Sequence, residues 1–316
     1  MKKSIKKIKM FVKLKILFIV TLTLVTINCN AQQDPQYTNY MYNTLSVNSA
    51  YAGSRGHLSV MALHRTQWVG LDGAPQTQSL SIESQIGSNL GLGVSFVNDR
   101  LGPSKEYYLD ANLSYTIKLN NKNKLSFGMK LGGRLLNVDL FDGFQEDSDV
   151  ASINNKFLPT IGAGIYWRND KSYIGLSVPN FLRENTFDRN NFSTNNYDVT
   201  TERLHYFLIG GKVFDLTSNI KFKPAFLGKF VTGAPVIVDL SANFMFYESL
   251  RLGVAYRWDD SFSGLLGLQL SPKLLLGYSY DLTTTRLGDF NSGTHEIMLR
   301  FELITKEQQL KSPRFF

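Results

Sequence analysis

Between positions 235 and 282 the chain alternates apolar and polar residues four times over. Val236, Val238, Leu240, Ala242, Phe244 and Phe246 form one file, with Ile237, Asp239, Ser241, Asn243 and Met245 in the other. After Glu248-Ser249 the pattern restarts as Leu250, Leu252, Val254, Tyr256 and Trp258 against Arg251, Gly253, Ala255, Arg257 and Asp259. It runs again from Phe262 to Leu270, and then as Leu274, Leu276, Tyr278, Tyr280 and Leu282 against Leu275, Gly277, Ser279 and Asp281. A period of two predicts strands. Each tract holds about ten residues, which is what a tilted strand needs to cross a bilayer, and about twice the usual strand of a soluble domain. The breaks at 248–249, 259–261 and 271–273 allow only antiparallel neighbours. The stretch is a meander long enough to span a membrane.

The same signal predicts strands near 57–65, 76–85, 90–96, 107–117, 125–134, 161–167, 173–178, 204–214, 220–230 and 295–303. With the opening four this makes about fourteen, and an even count suits an outer-membrane barrel. Connection lengths supply an independent check. Every second connection (87–89, 120–124, 168–171, 216–219, 248–249, 271–273) is short, whereas 137–156, 180–203 and 283–293 all fall on the other side. Barrels of this kind have short periplasmic turns and longer outer loops. The other outer connections, around Gly102, Gly233 and Asp260, are short too. The expected fold is all-β, a transmembrane outer-membrane β-barrel of about 14 antiparallel strands over 57–304, with a short N-terminal helical plug-like segment.

Charge changes the picture once its location is considered. The formal charge is +8, but Lys2, Lys3, Lys6, Lys7, Lys9, Lys13 and Lys15 all precede the first acidic residue. Setting those seven aside leaves +1 for a chain starting after Ala31. A basic start, an apolar run from Ile16 to Ile27 and Cys29-Asn30-Ala31 together read as a signal peptide over 1–31, cleaved before Gln32. Cys29 also admits a lipoprotein, although Thr26-Ile27-Asn28 lacks the small residue usual before a lipidated cysteine. It is the only cysteine, so the mature chain has no disulfide, thiol nucleophile or thiolate metal site.

Residues 32–56 form a separate N-terminal segment, periplasmic or plug-like. Asp34-Pro35 offers a helix cap and a first-turn proline. Tyr37, Tyr40, Met41 and Thr44 recur at spacings of three and four, which predicts a helix over 35–43 with tyrosines on one side. Positions 45–56, rich in Ser, Asn and Gly, read as irregular. The C-terminal tail is 305–316.

The run Asp34-Pro35-Gln36-Tyr37-Thr38-Asn39-Tyr40-Met41-Tyr42-Asn43, followed by Asn48-Ser49-Ala50-Tyr51-Ala52-Gly53-Ser54, resembles the N-terminus of the PorP/SprF family of type IX secretion membrane proteins. The ending Lys311-Ser312-Pro313-Arg314-Phe315-Phe316 is similar to that family's tail. What the resemblance implies is a non-catalytic component of the type IX secretion and gliding-motility machinery. Its implied partners are the periplasmic ring components of that system or a cognate secreted surface protein.

If the apolar file faces lipid, the polar file faces the lumen. There it places Lys130, Arg134, Asp239, Arg251, Arg257, Asp281, Glu296 and Arg300, together with Glu83, Asp110 and Glu302. Mixed sign argues against a selective charged pore and suits a lumen filled by protein. Tyr37, Tyr40, Met41 and Tyr42 are the candidate partner-binding or plug residues, expected inside the barrel or across its periplasmic mouth. Tyr107, Trp167, Trp258, Tyr278 and Tyr280 near strand ends suit an interfacial girdle.

Catalytic chemistry finds no support. His57, His64, His205 and His295 lack metal-ligand spacing, and no nucleophile elbow, phosphate loop or dinucleotide fingerprint occurs. No catalytic residue, metal or cofactor is expected. Nucleic acid loses its motive once the basic leader is set aside. The partners expected are outer-membrane lipid and a protein. Two alternatives stay open at this point, a passive porin-like channel for small solutes and a secreted β-sandwich adhesin.

Overall fold

A computed structural model describes residues 35–139, 153–182, 204–232 and 234–304 of the chain. The strands follow the period-two tracts. β1 is Leu58–Thr66, β2 Gln76–Gln85, β3 Leu90–Leu101, β4 Ser104–Lys118, β5 Lys124–Val138, β6 Ile153–Arg168 and β7 Ser172–Val178. β8 is His205–Lys212, continued after an interruption at Val213 by Phe214–Asp215. β9 is Ile220–Val231, β10 Ile237–Phe246, β11 Leu250–Arg257, β12 Ser261–Ser271, β13 Leu274–Thr283 and β14 Thr294–Leu303. Each strand pairs antiparallel with its sequence neighbours, and β14 pairs with β1 from Leu58↔Leu303 to Thr66↔His295. The result is a closed barrel of fourteen strands. Closure leaves no strand edge unpaired, the condition for a sheet to sit in hydrocarbon.

Alternation settles which way each residue points. Leu240, Leu252, Val254, Tyr256, Phe262, Leu266 and Leu282 are exposed on the outer face, while Asp239, Ser241, Asn243, Arg251, Arg257 and Asp281 are buried inside. The arrangement fits a lipid solvent, because the apolar face is the exposed one. Tyr107 and Trp258 are exposed near strand ends, as a girdle requires, while Trp167, Tyr278 and Tyr280 are half-buried on the same outward file. Tyr247 and Glu248 both take positive φ, 50° and 57°, and the Ser249 N–H closes the turn on the Phe246 carbonyl at 3.0 Å. This backbone matches the twist of a tight hairpin.

The helix expected over 35–43 does not form. Residues 38–42 make successive turns, with the Tyr42 and Asn43 N–H groups both bonded to the Asn39 carbonyl. A short helix α1 follows at Thr44–Val47 and a 3₁₀ turn at Ser49–Tyr51, inside the stretch expected to be irregular. A helix with tyrosines on one side presumes a wet opposite face. Here Tyr37 through Leu45 are all buried, so the segment is enclosed on every side and has no such face. The signal peptide, Cys29, the tail 305–316 and the loop residues around Asp147 and Arg189 lie outside the described residues.

Candidate functional site

The barrel interior is built around the N-terminal segment. Glu296 is the third residue of β14, near the end reached by the long 284–293 connection, the end that barrels of this kind turn outward and that is called outer below. Its Oε2 accepts the Thr38 N–H at 3.0 Å, and its Oε1 accepts both the N–H and the Nδ2 of Asn39 at 2.8 Å. Arg65 on β1 holds Glu296 at 3.0 Å through Nη1 and Asp281 on β13 at 2.9 Å through Nη2. The Thr38 hydroxyl donates to Asp281 at 2.7 Å and accepts from Arg65 Nη1 at 2.9 Å. Arg65, Asp281 and Glu296 are each at most 2% exposed. Charges so deep persist only when they are paired.

From this anchor the segment runs toward the inner mouth, packing apolar side chains on the wall. Tyr37, Tyr40, Met41, Tyr42, Leu45 and Tyr51 join one cluster with Met61, Leu63, Tyr166, Phe207, Leu227, Leu265, Leu275 and Met298. Tyr51 meets Tyr166 edge-on at 5.5 Å between ring centroids. Burial pushes the Tyr37 and Tyr40 phenols well above the ordinary range, so both stay neutral and act as packing and hydrogen-bonding groups. Tyr42 sits among cations, with Lys223 Nζ at 5.4 Å and the Arg300 guanidinium at 5.5 Å from its ring centre. A desolvated ring face attracts such charges.

Below the tyrosines the segment rests on a row of small residues. Gly91 on β3 opposes Ser114 on β4, Ser114 opposes Gly128 on β5, Gly128 opposes Gly164 on β6, and Gly164 opposes Ser177 on β7. A Cβ added at Gly91 would lie 2.1 Å from the Ala52 carbonyl oxygen, and one at Gly128 would lie 2.1 Å from the Ala50 nitrogen. The two serines bond the segment's backbone: Ser114 donates to the Ala52 carbonyl at 2.7 Å and Ser177 to the Val47 carbonyl at 2.6 Å. Asn48 Nδ2 donates to the Ile165 carbonyl at 3.1 Å. Close backbone approach is what the missing side chains permit.

At the inner mouth Arg55 ends the segment with a second ion-pair group. Its Nη1 donates to Glu302 at 2.5 Å, its Nε lies 3.8 Å from Glu83, and Glu83 accepts the Gly53 N–H at 3.0 Å. Burial opposes the charge on Arg55, but the carboxylates of Glu302 and Glu83 offset it and hold the guanidinium protonated. Gly53 has φ +66°, and its Cβ would strike the Gly91 Cα at 2.6 Å. The chain then turns directly into β1.

The candidate residues read from sequence fall into distinct places. Asp281 and Glu296 hold Thr38 and Asn39. Asp239 and Arg257 pair at 3.0 Å near the outer mouth, where Arg257 also reaches Asp260 at 3.2 Å. Arg251 and Arg300 stand on the inner side of the segment, by Tyr42, with Arg251 also donating to Gln269 at 2.8 Å. Lys130 and Arg134 pair within the wall instead, Lys130 with Asp110 at 2.7 Å and Arg134 with Glu106 at 3.3 Å. Sequence reasoning passed over Arg65, Arg55 and the Gly/Ser row. The signal for the row was present: Gly91 and Gly128 interrupt the polar file where a hydrated lumen would need no glycine. Met245 and Leu275 in the same file also mark protein contact rather than water.

The comparisons agree with this architecture. The family described as "Type IX secretion system membrane protein PorP/SprF" matches residues 29–301. The chain belongs to the PorP/SprF family. Its members are type IX secretion membrane proteins, and the barrel places this one in the outer membrane. Among solved structures it is similar to a CymD monoaromatic hydrocarbon channel, at 13% identity and a TM-score of 0.51, covering 84% of this chain and 93% of that one. The Acinetobacter baumannii outer membrane protein Omp33 matches at 7% identity and a TM-score of 0.47, covering 78% and 98%. At these identities the likeness is one of fold. No curated protein matches the chain. Among the described residues no cluster of His, Cys, Asp and Glu is suited to a metal ion.

Proposed function

We propose that this PorP/SprF barrel works without catalysis, as a plugged outer-membrane component that supports secretion or surface attachment of a cognate protein by binding a partner. The observation that carries the reading is the occupied lumen. Residues 37–55 are packed against the strands, tied at one end by hydrogen bonds from Thr38 and Asn39 to buried wall carboxylates and at the other by the Arg55–Glu302 ion pair. A passive channel needs a continuous water path, and a wall that reserves a Gly/Ser seat for its own N-terminus is built against one. What remains for function is surface: the inner mouth toward periplasmic ring components and the outer loops toward a secreted protein.

Planar-bilayer recording of the purified barrel tests this. The intact protein should show no steady conductance, and removal of residues 35–48 should open one. A steady conductance in the intact protein, unchanged by the deletion, would instead assign it to the channel class. In cells the deletion should impair secretion or surface display of one type IX substrate while the barrel stays in the outer membrane.

A further inference from the structure

Three cations stand in one row at the inner mouth. Lys118 on β4 lies directly opposite Lys124 on β5, and Lys124 directly opposite Arg168 on β6. Like charges at opposed positions destabilise a sheet, so the hairpin gains nothing from this arrangement. Nor does the row face lipid. Ile117 and Leu119, on either side of Lys118, are the exposed apolar residues there, and alternation turns Lys118 to the lumen side. The three side chains line a shallow open cleft together with Ala52, Gly53, Gln85, Asn89 and Gly91. No Asp or Glu lines it among the described residues.

Arg168 is the deepest of the three, 6% exposed. Its Nη1 donates to the Ser54 carbonyl at 2.5 Å, but its Nε has no hydrogen-bond partner among the described residues. A buried guanidinium N–H left unmade is costly. The acid nearest in influence, Glu83, is already engaged by Arg55 and by the Gly53 N–H.

We propose that this cleft is a docking site for a carboxylate-bearing segment of a periplasmic protein, with Lys118, Lys124 and Arg168 taking the acidic side chains. Three cations with no acid in the lining call for an occupant of several negative charges, which an acidic peptide segment supplies. A phospholipid headgroup would lie around the outside of the wall, whereas the row looks into the aqueous mouth. The proposal rests on the partner-binding reading above and gives it a chemistry, an acidic peptide.

The test uses the full chain in phosphatidylcholine nanodiscs and a fluorescein-labelled deca-glutamate peptide, read by anisotropy at low salt, with a deca-glutamine peptide as control. The expected result is binding of the glutamate peptide alone. The double variant Lys118→Gln/Lys124→Gln should weaken it by about tenfold, and Lys122→Gln on the same turn should leave it unchanged. Equal binding by the double variant overturns the site. Displacement of the peptide by equimolar inorganic phosphate makes it a small-anion site, and displacement by equimolar glycerophosphoglycerol, the headgroup of phosphatidylglycerol, makes it a lipid site; either overturns the peptide occupant. Since the assay involves no secretion, its failure leaves the secretion role standing. Normal secretion by the deletion strain would strike that role and not the cleft.

Discussion

Asn39 gives two hydrogen bonds to a single oxygen of Glu296, one from its backbone N–H and one from its side-chain amide, each 2.8 Å long. The carboxylate is fully buried, and its other oxygen takes the Thr38 N–H and Arg65. Glu296→Ala leaves Arg65 with Asp281 and removes the acceptor of the Thr38 and Asn39 donors, at a cost of about 1–3 kcal/mol for each buried donor left unmade. The segment should loosen while the barrel stays closed. Limited proteolysis should cut between residues 35 and 56 in the variant and not in the parent, with heat-modifiable migration of the barrel retained. Equal protection would mean that the segment is held elsewhere.

The Gly/Ser row predicts a steric route to the same outcome. Gly128→Val puts side-chain atoms where the Ala50 backbone lies, a clash no rotamer relieves. The variant should fold as a barrel and conduct ions in planar bilayers. Gly264→Ala is the control, since nothing lies within 4 Å of its added carbon. Both variants change one glycine in a strand, and a difference in conductance isolates the seat.

Thr38 and Asn39 sit by the outer end of β14, and Arg55 sits by its inner end at Glu302, so the segment runs from outside to inside before β1 begins. Asp72→Cys, exposed in the connection between β1 and β2 at the same end as Thr38, should react with a membrane-impermeant maleimide on intact cells. Ser88→Cys, in the turn between β2 and β3, should react only after the outer membrane is permeabilised. Background is low, because the other cysteine, Cys29, lies in the expected leader. The reverse labelling pattern would turn the barrel over in the membrane.

Val254 is 47% exposed in the middle of β11, on the file that faces lipid. Val254→Arg should cost about 2–4 kcal/mol of stability if that position lies near the bilayer midplane. Guanidinium titration of the barrel in lipid vesicles measures it. Ala255→Ser, one residue along and facing the lumen, should cost far less.

Strands were legible because a lipid-facing wall forces strict alternation, and the tract from Val236 to Leu282 shows it with few exceptions. The lumen was partly legible for the same reason, since Asp281, Glu296, Arg251 and Arg300 occupy the inward file. What periodicity could not reveal is which of these touch the N-terminal segment. Lys130 and Glu296 look alike in the pattern, yet one pairs within the wall and the other binds Thr38 and Asn39. The contacts join residues more than 200 positions apart, and no local rule encodes such partners. The expected helix over 35–43 failed on another ground. Its spacing was real, but a segment enclosed on every side is shaped by its container.

Anchorage of the segment at both ends also bears on how the barrel assembles. Glu296 and Glu302 belong to the last strand, Arg65 belongs to the first, and all three converge on residues 38–55. Joining β1 to β14 means bringing together chain ends separated by the whole wall, a loop-closure cost that grows with length. The N-terminal stretch binds both sides of that seam. It acts as a clasp, so the polypeptide carries within its first residues the fastener that completes its own ring.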